Sequence, residues 1–160
     1  MTVPAPLHLW RETVRPEWID YNGHMNVAYY VLILDHAVDA LWEYLGIGRD
    51  YRTAKSGSTF AVEAHVTYAQ ELLEGAKVRV ETRLVGFDEK RIHHYHELYH
   101  EEAGFLAATA EFLSLHVDLD TRKVTPFPPD VLARLAEVRS AHDALPRPDR
   151  LGHTIRVPGR

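Results

Sequence analysis

One stretch constrains this chain more than any other: NVAYYVLILDHAVDALWEYLG, residues 26–46. It is too long for one strand, contains no proline, and stops at Gly46 and Gly48. It therefore reads as a helix over 26–45, with Asn26 as its N-cap. Its polar residues Asp35, Asp39 and Glu43 recur every four positions with His36 beside them, and nearly everything else is aliphatic or aromatic. A helix lying on a surface turns about half its circumference to water. One with so narrow a polar stripe belongs at the centre, wrapped by other structure.

The residues C-terminal to the helix supply the wrapping. After a polar linker, Arg49–Ser58, the apolar period changes from helical to two: Phe60, Val62, Ala64, Val66 and Tyr68 alternate with Ala61, Glu63, His65 and Thr67. Further strands are expected over 77–87, 91–101 and 105–118, with short hydrophilic or glycine-containing breaks, so the four strands read as consecutive antiparallel hairpins. A strand over 7–14 precedes the long helix, and a second helix, 130–145, comes after the prolines at 126, 128 and 129. The expected fold class is α+β of the hot-dog type, a curved antiparallel sheet of about five strands around one long buried helix, with an extra C-terminal helix. Residues 1–145 read as a single domain, and 146–160, with three prolines and four arginines, as a tail or partner-dependent arm. Such a sheet leaves edge strands and a helix end poorly covered, so a homodimer or a dimer of dimers is expected.

Composition narrows the function. With 160 residues, a net charge of −5 and no cysteine, the chain can carry no disulfide, thiolate metal site or cysteine nucleophile, and nucleic acid is not its expected partner. The longest apolar run, Val27–Leu34, is eight residues, well short of the roughly 18 a membrane span needs. Residues 1–9 lack a basic start and apolar middle, so the expected location is cytoplasmic.

The densest polar cluster, Asp20-Tyr21-Asn22-Gly23-His24-Met25-Asn26, lies directly before the long helix. Unpaired amides at a helix start carry a partial positive charge and stabilise an oxyanion where water is excluded. A carboxylate close to them can activate water or attack a carbonyl. The same residue types also serve as ordinary caps and turns. Asp20 lies six residues before Asn26, too far upstream to cap the helix itself, which favours a chemical role.

Trp18-Ile-Asp-Tyr-Asn-Gly-His-Met-Asn-Val-Ala-Tyr-Tyr30 resembles the active-site segment of hot-dog-fold acyl thioesterases of the 4-hydroxybenzoyl-CoA thioesterase-like superfamily. The resemblance runs over roughly residues 8–125, and the segment from Val117 to Pro126 looks like that family's last strand and turn. It implies hydrolysis of an acyl-CoA thioester without metal or organic cofactor. By position it makes Asp20 the catalytic carboxylate and the Val27 amide the group that polarises the thioester carbonyl, with Gly23 and Asn26 shaping the helix start. Asn22 and His24 are similar to the Asp-x-Asn-x-His arrangement of plant acyl-carrier-protein thioesterases, where they would orient Asp20 or water and move a proton. Family members with Asp-Pro-Ala-Gly have neither residue, so attack by Asp20 itself stays open. The segment looks closest to the branch that cleaves betainyl-CoA in carnitine breakdown. A quaternary ammonium is held by aromatic faces, which makes Trp18, Tyr21, Tyr29, Tyr30, Trp42 and Phe60 cage candidates, although aromatics on a buried helix are more often core. Glu63 is a weaker candidate, and Lys90, Arg91, Arg122 and Lys123 are expected in turns where CoA phosphates could be met.

The run RIHHYHELYHE, residues 91–101, puts His94, His96 and His100 on one strand face and His93, Tyr95, Glu97 and Tyr99 on the other. His-x-His with a later Glu is similar to the metal motif of cupins, but Glu101 falls on the wrong face, and no jelly roll has a buried helix near its start. No metal is expected; an exposed or dimer-facing surface is, with histidines titrating near 6.5. Two other readings stay open: a non-catalytic acyl-CoA-binding protein, which would release no free CoA, and a hot-dog enoyl-CoA hydratase or dehydratase, whose longer signature is not found here.

Overall fold

The apolar run folds as one helix, α1 (Val27–Leu45), in a computed structural model that describes residues 2–159. Asn26 stands in extended backbone and its side-chain oxygen accepts the Ala28 N–H at 3.0 Å, satisfying one orphan donor of the helix start. At the other end Gly46 adopts φ +79° and returns its N–H to the Trp42 and Glu43 carbonyls, closing the helix with the left-handed residue that only glycine supplies cheaply. Tyr30, Ile33, Leu34, Ala37, Val38, Leu41, Trp42 and Leu45 form the buried face at three- and four-residue spacing.

That face lies on a six-stranded antiparallel sheet built from β1 (Leu7–Thr13), β2 (Gly57–Tyr68), β3 (Lys77–Phe87), β4 (Arg91–His100), β5 (Leu106–Asp118) and the short β6 (Lys123–Val124). The spatial order is β1-β3-β4-β5-β2, with β6 on β5. Along the inner face run Val78, Val80, Thr82 and Leu84, then Ile92, His94, His96 and Leu98, then Ala108, Ala110, Phe112 and Ser114, all buried. Alanine and serine on β5 leave room for the helix above them. The hot-dog arrangement expected from the sequence is therefore present.

Three expectations need correction. The strands β3, β4 and β5 are consecutive hairpins, but β2 pairs with β5 and not with β3. The segment after β2 is no tight turn. It crosses the start of α1, where Leu72 is fully buried, and delivers the chain to β3 beside β1. The polar linker Arg49–Ser58 contains a short helix, α2 (Arg49–Lys55), with no buried residue, so no apolar stripe announced it. Finally, α1 is not wrapped all round by its own chain. Val27, Val31 and Leu32 remain exposed on the side facing away from the sheet.

The second helix, α3 (Pro129–His142), replaces β1 beside the far end of β3. Pairing with β1 ends at Thr82, and beyond it the Leu84 N–H donates to His142 Nδ1 at 2.9 Å. Residues 143–159 then cross the outer sheet face. Arg83 donates to the Pro146 carbonyl, Gly152 N–H to Glu111, and Arg150 to Thr67, while Leu151 is buried.

The histidine run is the fourth correction. The two faces alternate as expected, but His94 and His96 point inward under α1 and are wholly buried, because the sheet, not a partner, covers them. His93 is half-buried on the outer face and bonds Glu111 at 2.8 Å. Burial pushes His94 well below its ordinary range, helped by its His96 and His93 neighbours, and burial pushes His96 down to about 3. Both are neutral in the fold, whereas in the unfolded chain each takes a proton below about 6.5. Between those values the unfolded state binds more protons, so stability falls as pH drops below 6.5. His96 alone accounts for about 2 kcal/mol between pH 8 and pH 5. Urea midpoints measured at pH 8, 6.5 and 5 should decline in that order; a midpoint unchanged from pH 8 to 5 would contradict the burial of the pair.

Candidate active site

The loop ahead of α1 is a small closed structure in its own right. A 3-10 turn at Pro16–Trp18 leads into Ile19, which bridges Met25. Asp20 N–H donates to the His24 carbonyl at 3.1 Å, Gly23 N–H to the Asp20 carbonyl at 3.0 Å, and Asn26 N–H to the Trp18 carbonyl at 2.9 Å. Gly23 sits at φ +82° with open space where a Cβ would stand, so glycine is required by the backbone angle and not by crowding. Two further bonds fasten the loop to the fold. Met25 N–H donates to the Leu72 carbonyl at 2.8 Å, and Leu72 N–H donates to the Tyr30 hydroxyl at 2.9 Å. Burial raises the Tyr30 phenol above its usual range, so the group stays protonated and holds this contact across neutral pH.

Within the loop, Asp20 is half-buried and its Oδ1 accepts the Asn22 N–H at 2.8 Å. The contact expected from the Asn22 side chain is thus made by its backbone, and the amide side chain itself is exposed. His24 Nδ1 lies 3.1 Å from the Met25 carbonyl. A carbonyl only accepts, so Nδ1 carries the proton, and the neutral ring keeps a lone pair on Nε2. The His24 ring makes no hydrogen bond to Asp20.

Among the first-turn amides of α1, Ala28 N–H is taken by the Asn26 side chain and Tyr29 N–H by the Asn26 carbonyl. Val27 N–H has no acceptor among the described residues, and Val27 is 56% exposed. The loop that holds the Asp20 carboxylate therefore ends on the one first-turn amide left open, at the positive end of the helix dipole. Sequence reasoning missed Tyr68, whose hydroxyl donates to the Val27 carbonyl at 3.3 Å and whose ring meets Tyr30 edge-on. Nothing local in the sequence signals that contact, which depends on β2 ending beside the start of α1.

The aromatic candidates do not converge on one point. Trp18 stacks on Tyr29 at 5.3 Å, and Trp18 and Tyr30 are buried. Tyr21 is 96% exposed. Phe60 stands near the opposite end of β2 beneath Arg122, and Trp42 packs edge-on against His94 toward the far end of α1. A single six-membered cage is thus ruled out within one chain by the length of α1. Glu63 is exposed on β2 beside a bulge. The β3–β4 and β5–β6 turns lie side by side, joined by His116 N–H to the Lys90 carbonyl and Phe127 N–H to the Glu89 carbonyl. This brings Lys90, Arg91, Arg122 and Lys123 to one end of the sheet, with Arg91 paired to Asp88 and Lys90 to Glu89.

Comparison with known proteins agrees with this geometry. The sequence profile of the thioesterase-like superfamily matches residues 14–135. The chain is 41% identical over 152 residues to the betainyl-CoA thioesterase of Pseudomonas aeruginosa PAO1, covering 95% of this chain and 96% of that protein. It is 39% identical to the L-carnitine dehydrogenase/betainyl-CoA thioesterase of Agrobacterium fabrum, where the match covers 95% of this chain and 31% of that longer protein. Among solved structures, a Staphylococcus aureus protein in complex with CoA superposes with a TM-score of 0.88 at 28% identity, covering 99% of this chain and all of that one. A candidate thioesterase from Pseudomonas putida KT2440 superposes with a TM-score of 0.85 at 35% identity, covering 98% and 100%. The chain belongs to the thioesterase-like superfamily.

Proposed function

We propose that this protein hydrolyses an acyl-CoA thioester, with betainyl-CoA as the substrate that its similarity to curated relatives favours. The observation that carries the chemistry is the Asp20 carboxylate in a loop that ends on the open Val27 amide. A thioester carbonyl whose oxygen accepts that N–H gains electrostatic stabilisation as negative charge develops on it. Asp20 takes a proton from water as the water oxygen bonds to the carbonyl carbon. The tetrahedral oxyanion then collapses, the C–S bond breaks, and the CoA thiolate leaves and is protonated. His24 Nε2 is the proton-transfer group of this scheme. In the other route Asp20 Oδ attacks directly, giving a mixed anhydride that water then opens.

The working form is a homodimer in this reading. β2 is an edge strand with Phe60, Val62 and Tyr68 exposed, and it lies next to the uncovered apolar side of α1 at Val31 and Leu32. Antiparallel pairing of β2 with its copy covers the unpaired edge and that apolar side together.

Asp20→Asn should lower kcat for CoA release by at least ~10², the low end for loss of a general base. Asn22→Ala should change it little, because the contact to Asp20 is a backbone one. Free-thiol release measured across betainyl, short polar, aromatic and long-chain acyl-CoAs checks both; equal turnover by wild type and Asp20→Asn would overturn the assignment. A single turnover in ¹⁸O-water separates the two routes, since only the anhydride route leaves label in Asp20. Light scattering should give a dimer mass for wild type and a monomer mass for Val62→Asp. A wild-type monomer at micromolar concentration would contradict the pairing.

A further inference from the structure

A cavity of about 780 Å³ lies along the C-terminal half of α1, away from the Asp20 loop of the same chain. Asp35 is eight residues beyond Val27, about 12 Å along the helix axis at 1.5 Å per residue. The walls of the cavity differ in charge. On one side stand Asp35 and Asp39, two members of the narrow polar stripe, with the Trp10 ring. Neither carboxylate has an ion-pair partner among the described residues. Like charges at this spacing repel one another, and desolvation followed by the Asp39 charge holds the Asp35 carboxyl above its ordinary range. On the other side stand Arg49 and Arg52 of α2, also without ion pairs among the described residues, and Ser114 of β5.

Ser114 is 1% exposed and sits at the end of a buried hydrogen-bonded chain. Thr82 Oγ1 lies 2.9 Å from His96 Nδ1, His96 Nε2 lies 2.7 Å from His94 Nδ1, and His94 Nε2 lies 3.1 Å from Ser114 Oγ. Both rings are neutral, so each carries one proton, and the chain must run in one direction or the other. Thr82 is wholly buried and this is its one side-chain hydrogen bond among the described residues. If His96 donated to it, the Thr82 hydroxyl hydrogen would be left buried without an acceptor, which costs about 1–3 kcal/mol. The chain therefore runs from Thr82 to Ser114. Thr82 donates to His96 Nδ1, His96 Nε2–H to His94 Nδ1, and His94 Nε2–H to Ser114 Oγ. Ser114 is then left with its own O–H as a donor, and the cavity is what it borders.

We infer that this cavity binds a small zwitterion, with its ammonium end against Asp35, Asp39 and Trp10 and its carboxylate accepting from Ser114 and facing Arg49 and Arg52. Only the choice of glycine betaine as probe rests on the thioesterase reading. The site itself rests on the charge division of the cavity and the direction of the histidine chain. Within one chain it is separate from the Asp20 centre.

Titration of the intact protein with glycine betaine, followed by NMR, should show saturable binding. Acetate and choline, each carrying half of the ligand, should bind at least fivefold more weakly. Ser114→Ala and Asp35→Asn should each weaken betaine binding about fivefold, the loss expected for one hydrogen bond or ionic contact, while Asp20→Asn should leave it unchanged. Absence of saturable binding, or full affinity in Ser114→Ala, would overturn the proposal whether or not the protein cleaves thioesters. Because Ser114→Ala also removes a buried partner of His94, long-range ¹H–¹⁵N spectra of the wild type give a second test. His94 and His96 should both be Nε2–H tautomers; two Nδ1–H tautomers would mean that the Ser114 hydrogen is already engaged, and would overturn the site.

Discussion

The clasp at Leu72 holds the rest of this architecture in register. Its carbonyl accepts from Met25 and its N–H donates to the Tyr30 hydroxyl, so one residue of the β2–β3 crossing fixes both the last turn of the Asp20 loop and the first turn of α1. Leu72 is wholly buried, which puts both bonds out of reach of competing water. Removing the Tyr30 hydroxyl would leave a buried amide without a partner, and such a group costs far more than an average hydrogen bond contributes. The carboxylate of Asp20 and the open amide of Val27 therefore belong to one rigid unit, although they come from a loop and a helix.

How much of this was legible in the sequence depends on which interactions are local. The helix α1, its Asn26 cap and its Gly46 stop were readable because periodicity and capping are properties of neighbouring residues. The boundaries of β3 and β5 came within one residue of expectation for the same reason. Partner choice is not local. Nothing in Phe60–Tyr68 says that it pairs with Ala108–Leu115 in place of Lys77–Phe87, and the eight residues from Ala69 to Ala76 look like a long turn unless one knows that Leu72 is buried. Alternation gives parity but not side, so His94 and His96 were correctly grouped and wrongly faced outward. In the site, the position of the Asp20–Asn26 cluster was legible, whereas the use of the Asn22 backbone in place of its side chain is a matter of turn geometry.

The narrow stripe on α1 has a structural explanation that the sequence alone did not provide. Asp35 and Asp39 are not simply the solvent-facing residue positions of a buried helix. They line a cavity whose opposite wall is cationic, and the apolar part of the exposed side, at Val27, Val31 and Leu32, lies toward the helix start. One helix thus presents an apolar face to the sheet, an apolar patch near the Asp20 loop and a charged wall farther along. Beneath it, two neutral histidines replace the aliphatic residues that such a core would ordinarily contain. They are tolerated because each nitrogen has a partner, from Thr82 through to Ser114.

The central claim is that a thioester sits with its carbon beside Asp20 and its oxygen on the Val27 amide. The most direct measurement is a crystal structure of Asp20→Asn soaked with an acyl-CoA that the wild type cleaves. The account predicts the carbonyl oxygen roughly 3 Å from Val27 N and the carbonyl carbon, or a water poised to attack it, within roughly 3.5 Å of the residue 20 side chain. A thioester bound with its carbonyl pointing away from the start of α1, and residue 20 out of reach, would contradict it.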